Sequence, residues 1–98
     1  MGLFSKKLTP LTYKEVTEAL ECLGFELQPK KGTAHEQWVM ISKKKKYKVT
    51  VDKHESPFTV TLIKSMANQA GMNHREFHTL CKEGLEQKRI NELLNQIL

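Results

Sequence analysis

The spacing of apolar residues changes twice along this 98-residue chain, and the two changes restrict it to one class of fold. From Tyr13 to Leu23 apolar residues recur at helical spacing. Segments 25–29, 35–41 and 47–51 are short or alternate between apolar and polar residues, as strands do. Helical spacing returns after Pro57. The order α-β-β-β-α predicts an α+β domain, in which two helices cover one face of a three-stranded antiparallel sheet and leave the other face open.

Local signals predict where these elements begin and end. Thr12 to Glu15 reads as a capping box that starts the first helix, and Gly24 ends that helix. Gly71 is expected to end the second helix, and a further capping box from Asn73 to Glu76 starts a third. The lysine run 43–46 is expected to form the turn between the last two strands.

The C-terminal part carries a second apolar stripe that is out of phase with the third helix. Phe77 and Cys81 lie on nearly the opposite face of one continuous helix from the later stripe. That stripe consists of Ile90, Leu93, Leu94 and Ile97. Because glycine is a weak helix former, we expect a turn at Gly84 that folds the last helix back; without it, the stripe would contact a partner or form an oligomer.

These patterns divide the chain into a flexible leader (1–11), a core (12–72) and a helical extension packed on the same domain (73–98). No apolar run approaches the ~20 residues that span a bilayer, so no membrane association is expected. Cys22 and Cys81 occupy apolar helical positions, which favours buried thiols in a reducing compartment over a disulfide.

Positive charge is concentrated in one segment. The chain has a net charge of +5, and residues 30–53 hold eight lysines but only two acidic residues. A field of this kind attracts polyanions such as a nucleic-acid backbone. A lysine-rich loop that merely keeps the protein soluble is an equally good reading of composition alone.

A glycine, a hydroxyl residue and a histidine lie within this basic segment, in "KKGTAHEQWV". Gly32 can bend the chain close to a ligand, and Thr33 can bind a phosphate oxygen. His35 offers an imidazole, the usual general acid or base near neutral pH. Beside Lys30 and Lys31 it would meet RNA phosphate, although an inert exposed histidine is the commoner case.

Three segments of the chain resemble the HicA toxins, the small ribonuclease partners of HicAB toxin–antitoxin pairs. "GTAHEQWV" is similar to the Gly-[Ser/Thr]-x-His element of that family. "YKVTVDKH" is similar to its third strand and trailing histidine, and "TLIKSMANQAGM" to a helix near its C-terminus. The three segments occur in the family's order between residues 12 and 72.

The resemblance implies a double-stranded-RNA-binding-domain-like fold and cleavage of mRNA without a metal or other cofactor. It makes His35 the catalytic residue, with Gly32 and Thr33 on the other motif positions. It also implies a bacterial cytoplasmic toxin that inhibits translation, and a HicB-like antitoxin that masks the His35 face. His54 and Lys48 are candidates for the second acid–base group. The predicted RNA-binding residues are Lys30, Lys31, Gly32, Thr33, Lys43, Lys44, Lys45, Lys46, Lys48 and His54.

Other readings remain at this point. The chain could be a non-catalytic RNA-binding module of the same fold, or chiefly an interaction protein that docks through its last helix. Trp38 and Tyr47 could stack on bases, although core packing is the more economical role for both. His74, His78 and Cys81 share a helical stripe that could bind zinc, but Phe77 on the same stripe favours a core face.

Overall fold

The computed structural model describes residues 8–29 and 32–83, and these form the predicted α+β fold. The elements are α1 (Tyr13–Leu23), β1 (Glu26–Leu27), β2 (His35–Ser42), β3 (Lys45–Asp52), a 3-10 turn (Lys53–Glu55), α2 (Val60–Gln69) and α3 (74–83). The strands make one antiparallel sheet in the order β1-β2-β3. Element order and sheet topology together confirm the double-stranded-RNA-binding-domain-like class.

The β2–β3 hairpin is tighter than the sequence suggested. Its turn consists of Lys43 and Lys44 alone, with φ angles of 50° and 66°. Two-residue turns with positive φ match the twist of the flanking strands. Lys45 and Lys46 belong to β3, so the predicted four-residue turn was wrong. The ladder therefore runs from the Ser42–Lys45 pair to the His35–Asp52 pair.

The capping signals of α1 form as predicted. The Thr12 side chain accepts a hydrogen bond from the Glu15 backbone N–H, and the Glu15 carboxylate accepts one from the Thr12 N–H. Gly24 ends the helix with a φ of 101°. Glu15 also pairs with Lys82 of α3 at 3.1 Å. Partial burial would raise the Glu15 pKa, but the Thr12 and Lys82 contacts outweigh burial and lower it.

One apolar core lies between the sheet and the helices. The alternation in β3 buries Val49 and Val51 and half-buries Tyr47, as predicted, while Trp38 of β2 is buried on the same face. The buried apolar residues are Leu11, Val16, Ala19, Leu20, Phe25, Trp38, Val49, Val51, Phe58, Ile63, Met66, Ala67, Ala70, Phe77 and Cys81. Within residues 8–29 and 32–83, no helix packs over the opposite face of the sheet, and Ile41 on that face is 73% exposed.

Packing extends past both ends of the predicted core. Leu11 is fully buried and forms a β-bridge with Phe58, so the predicted leader overlaps the packed domain at its last residues. His78 Nε2 lies 2.9 Å from the Thr9 carbonyl oxygen. Phe77 anchors α3 in the core.

Several predictions concern parts of the chain outside the described residues. These are the turn at Gly84, the stripe from Ile90 to Ile97 with its possible oligomer contact, and the positions of Lys30 and Lys31. Within 8–29 and 32–83, no helix is long and apolar enough to cross a bilayer. Cys22 and Cys81 form no disulfide, and burial raises the pKa of Cys81 to about 12.

Candidate active site

His35 is the first residue of β2 and lies on the open face of the sheet. The Thr33 hydroxyl accepts a hydrogen bond from the His35 N–H at 3.1 Å, which fixes the chain entering the strand. Gly32, with a φ of 59°, makes the preceding bend, and a Cβ added at this position would meet none of the described residues within 4 Å apart from its chain neighbours. The His35 side chain is 61% exposed. An imidazole this open can meet a bulky substrate.

Asp52 is the residue that the sequence reading missed. It lies opposite His35 at the end of the ladder, with 3.5 Å between His35 Nε2 and Asp52 Oδ2. Its other oxygen, Oδ1, accepts a hydrogen bond from the His54 N–H at 2.9 Å and caps the 3-10 turn. The Asp52 side chain is only 21% exposed. A carboxylate held in this way can orient the imidazole and stabilise its protonated form.

The predicted RNA-binding lysines separate into two groups. Antiparallel partners share a sheet face, so Lys46 (opposite Ile41) and Lys48 (opposite Val39) lie on the same face as His35. Lys43 and Lys44 form the turn at the far end of the hairpin, and Lys45 places its ammonium 5.1 Å from the Tyr47 ring centre. The open face thus carries cations at one end and the His35–Asp52 pair at the other.

Distance along the strand bears on the role of Lys48. Lys48 lies four positions before Asp52 in β3, which corresponds to roughly 13 Å of β-strand. That spacing suits a second contact to an extended backbone better than a proton transfer at His35. His54 is exposed in the 3-10 turn and is joined to Asp52 through its backbone N–H.

A buried carboxylate next to His35 fixes the start of β2. Glu36 is 3% exposed and accepts hydrogen bonds from the Tyr13 hydroxyl at 2.7 Å and from Trp38 Nε1 at 3.1 Å. Burial, followed by the hydrogen bond to Glu36 and the charge of Glu36, raises the pKa of Tyr13 to about 12. The Lys53 ammonium lies 5.2 Å from the Tyr13 ring centre. This cluster ties β2 to α1 and so holds the strand that carries His35.

A groove runs from His35 along the edge of the sheet to α2, with a volume of about 500 Å³. We name it the β3–α2 groove. Thr50 and Asp52 lie on its sheet side, and Leu62, Ser65 and Gln69 lie on its helix side. A pocket of this size beside an exposed histidine could hold part of a substrate.

The predicted zinc alternative finds no support in the geometry. His78 is hydrogen-bonded to Thr9, and Cys81 is 4% exposed within the core. Among residues 8–29 and 32–83, no three or more His, Cys, Asp or Glu side chains cluster closely enough to hold a metal ion. Phe77 and Cys81 of this stripe pack in the core, which is the role that the sequence favoured for it.

The fold and the open-faced site place the protein among small α+β domains of the double-stranded-RNA-binding type that expose a histidine at the start of a strand. The family model described as HicA toxin of bacterial toxin-antitoxin matches residues 13–72. The chain therefore belongs to the HicA toxin family, whose members are the toxins of toxin–antitoxin pairs. No significant match was found among curated proteins or among solved structures.

Proposed function

We propose that this toxin is an endoribonuclease that cleaves mRNA without a metal ion and thereby inhibits translation and growth. The observation that carries the proposal is the His35–Asp52 pair, in which a largely exposed imidazole lies within ion-pair distance of a held carboxylate. General acid–base groups must be accessible to the proton that they move, and His35 meets that requirement. Lys46 and Lys48 on the same face would bind the phosphates of the RNA backbone.

The chemistry is an internal transfer on the ribose. His35 takes the proton of a 2′-hydroxyl, the 2′-oxygen attacks the adjacent phosphorus, and the bond from phosphorus to the 5′-oxygen of the next nucleotide breaks. The products are a 2′,3′-cyclic phosphate and a free 5′-hydroxyl. Asp52 stabilises the imidazolium that His35 becomes. Of the two predicted proton donors to the leaving oxygen, we favour His54 over Lys48, because the His54 backbone is bonded to Asp52 whereas Lys48 lies farther along the strand.

The open face of the sheet and the turn end of the β2–β3 hairpin form the proposed RNA-binding surface. Lys43, Lys44 and Lys45 extend the positive charge beyond Lys46 and Lys48. An extended single strand could run from this end to His35, where Gly32 and Thr33 leave room for its backbone. Lys30 and Lys31 remain predicted contacts in the part of the chain outside the described residues.

The antitoxin that the family implies is proposed to be HicB-like and to cover the His35 face. An inhibitor of this site has to block the imidazole or the lysines, and both lie on the open sheet face. Ile41 is 73% exposed on the same face, opposite Lys46, and offers an apolar contact for such a partner.

A non-catalytic RNA-binding module of the same fold is the competing function. Ordinary double-stranded-RNA-binding domains place a lysine cluster at the start of the last core helix. Here α2 carries Lys64 as its only lysine. The helix thus offers little to a duplex backbone, which counts against this alternative.

The test is the chemistry of the products. The purified protein is incubated with RNA in the presence of EDTA, and the new ends are analysed by mass spectrometry. The proposal expects fragments that end in 2′,3′-cyclic phosphate at an undiminished rate. Ends with a 5′-phosphate, or cleavage that stops with EDTA, would contradict it. Binding without cleavage would favour the non-catalytic module.

A further inference from the structure

We infer that the β3–α2 groove binds an unpaired nucleobase that flanks the scissile phosphate. This inference rests on the proposed function, because it takes His35 as the place where the phosphate reacts. The groove begins at His35 and Asp52 and continues between Thr50 of β3 and one face of α2. A base attached to the reacting ribose or to its neighbour would therefore lie at the mouth of the groove.

The charge of the lining selects a base over a phosphate. Neither lysine nor arginine lines the groove within the described parts of the chain, whereas the carboxylates of Asp52 and Glu55 do. A phosphate would be repelled here, although lysines receive it on the adjacent sheet face. A nucleobase carries no charge and avoids this repulsion.

The remaining lining supplies what a base needs. Leu62 provides apolar surface for a face of the base, above a floor that the buried Phe58 and Met66 form, and the hydroxyls of Thr61 and Ser65 provide polar groups for its edges. RNA is usually read in this way, through unstacked bases that pack on apolar or aromatic groups and form hydrogen bonds at their edges. A volume of about 500 Å³ accommodates a base with part of its ribose.

Gln69 provides a defined donor inside the groove. Its Oε1 accepts a hydrogen bond from the Thr50 N–H at 3.1 Å, and this contact sets the orientation of the amide. The Nε2 group donates no hydrogen bond to the described residues. No polar side-chain atom among them is both buried and unpartnered, so this group is open to solvent. It can therefore donate to a carbonyl oxygen or ring nitrogen of a base.

The test combines substrates that lack a base with a variant that fills the groove. Three short RNAs share one mapped cleavage site: one is intact, and each of the others lacks one of the two bases that flank the scissile phosphate. For the parental protein, loss of one of these bases is expected to lower kcat/KM at least about tenfold. Equal rates on all three RNAs would overturn the inference and leave the proposed ribonuclease standing.

Ser65→Leu places a larger side chain in the groove at an exposed position of α2. With this variant, the intact RNA is expected to be cleaved as slowly as the RNA that lacks the groove-bound base. The difference between these two substrates should then disappear. Asn68→Leu introduces the same residue on α2 outside the groove, and it should behave like the parental protein. If Ser65→Leu keeps full discrimination, or weakens only antitoxin binding, the groove is not a base site.

A titration with uncharged ribonucleosides decides the groove even if no RNA is cleaved. NMR shifts confined to the backbone amides of Thr61, Ser65 and Gln69, and lost in Ser65→Leu, would support the inference. In that case the absence of cleavage would count against the proposed function alone. If no RNA is cleaved, the absence of any shift at millimolar nucleoside would reject the base site; if RNA is cleaved, equal rates on all three RNAs would reject it.

Discussion

His35 and Asp52 face each other at the open end of the β2–β3 ladder, with 3.5 Å between Nε2 and Oδ2. The two-residue turn at Lys43–Lys44 sets this pairing, since every partner along the hairpin follows from it. Two additional turn residues would slide the strands and place His54 opposite His35. The hairpin turn thus decides which side chain supports the histidine.

Asp52→Asn tests whether the Asp52 carboxylate assists the His35 imidazole in catalysis. The amide oxygen can still accept the His54 N–H hydrogen bond, so the turn should stay intact while the charge beside His35 is lost. We expect kcat for RNA cleavage to fall about tenfold or more, with little change in KM; loss of the acid–base group itself typically costs about a hundredfold or more. Single-turnover cleavage at saturating protein measures the effect.

Glu21→Gln is the matched control for Asp52→Asn. It removes one negative charge from an exposed residue of α1, away from the open face of the sheet that carries His35. If both variants slow cleavage equally, the effect is general electrostatics and not support of the imidazole.

The strand lysines should govern RNA affinity and its dependence on salt. Replacing Lys46 and Lys48 with glutamine removes two cations from the open face. Each lost phosphate contact should reduce the log–log salt slope for single-stranded RNA by about 0.7. Fluorescence anisotropy between 50 and 300 mM salt, on a background of His35→Ala to prevent cleavage, measures the slope.

A variant with glutamine at Lys14 and Lys64 carries the same net charge and serves as the control. Both lysines are exposed on helices, outside the sheet face. Equal weakening by the two double variants would mean that RNA responds to net charge and does not bind at the proposed surface.

Tyr13→Phe should destabilise the fold by about 1.5–3 kcal/mol, because a buried charged acceptor loses one of its donors. Tyr47→Phe is the control, since the Tyr47 hydroxyl makes no hydrogen bond to the described residues. Urea unfolding at pH 8 measures both. A loss below 0.5 kcal/mol for Tyr13→Phe would mean that the hydroxyl adds little to this cluster.

The raised pKa of Tyr13 also predicts that the free energy of unfolding falls at alkaline pH. The folded pKa of Tyr13, about 12, lies above the ordinary tyrosine value of 10.0, so folding favours the neutral phenol. Its contribution is fully present below pH 10 and is lost as the pH rises through about 12. The difference in unfolding free energy between the parental protein and Tyr13→Phe should therefore shrink between pH 10 and 12. A difference that stays constant over this range would contradict the raised pKa.

Much of the fold could be predicted from the sequence, because the signals that determine it act over a few neighbouring residues. The Thr12–Glu15 capping box, Gly24 and the alternation of Val49 and Val51 each act within a few residues, and each forms as predicted. The hairpin register was not accessible in this way. Four lysines in a row give no signal for which two take positive φ, and lysine is not a residue that such turns favour.

The sequence named His35 as a candidate catalytic residue, but it did not indicate the residues that surround it in the fold. Asp52 was missed because its role depends on the register. Glu36 was missed because charged residues are usually exposed, although its alternation with Trp38 placed it on the core face. The β3–α2 groove depends on how α2 lies against the edge strand, which no pattern within either segment encodes.

The most direct test of the central claim is the single-turnover cleavage rate of His35→Ala beside His74→Ala. His35 is exposed, so its removal should change the unfolding free energy by no more than ~0.5 kcal/mol. We predict at least a hundredfold loss of cleavage for His35→Ala, the lower end of acid–base catalysis, and a parental rate for His74→Ala, which lies on α3. A folded His35→Ala protein that cleaves RNA at the parental rate would contradict the account.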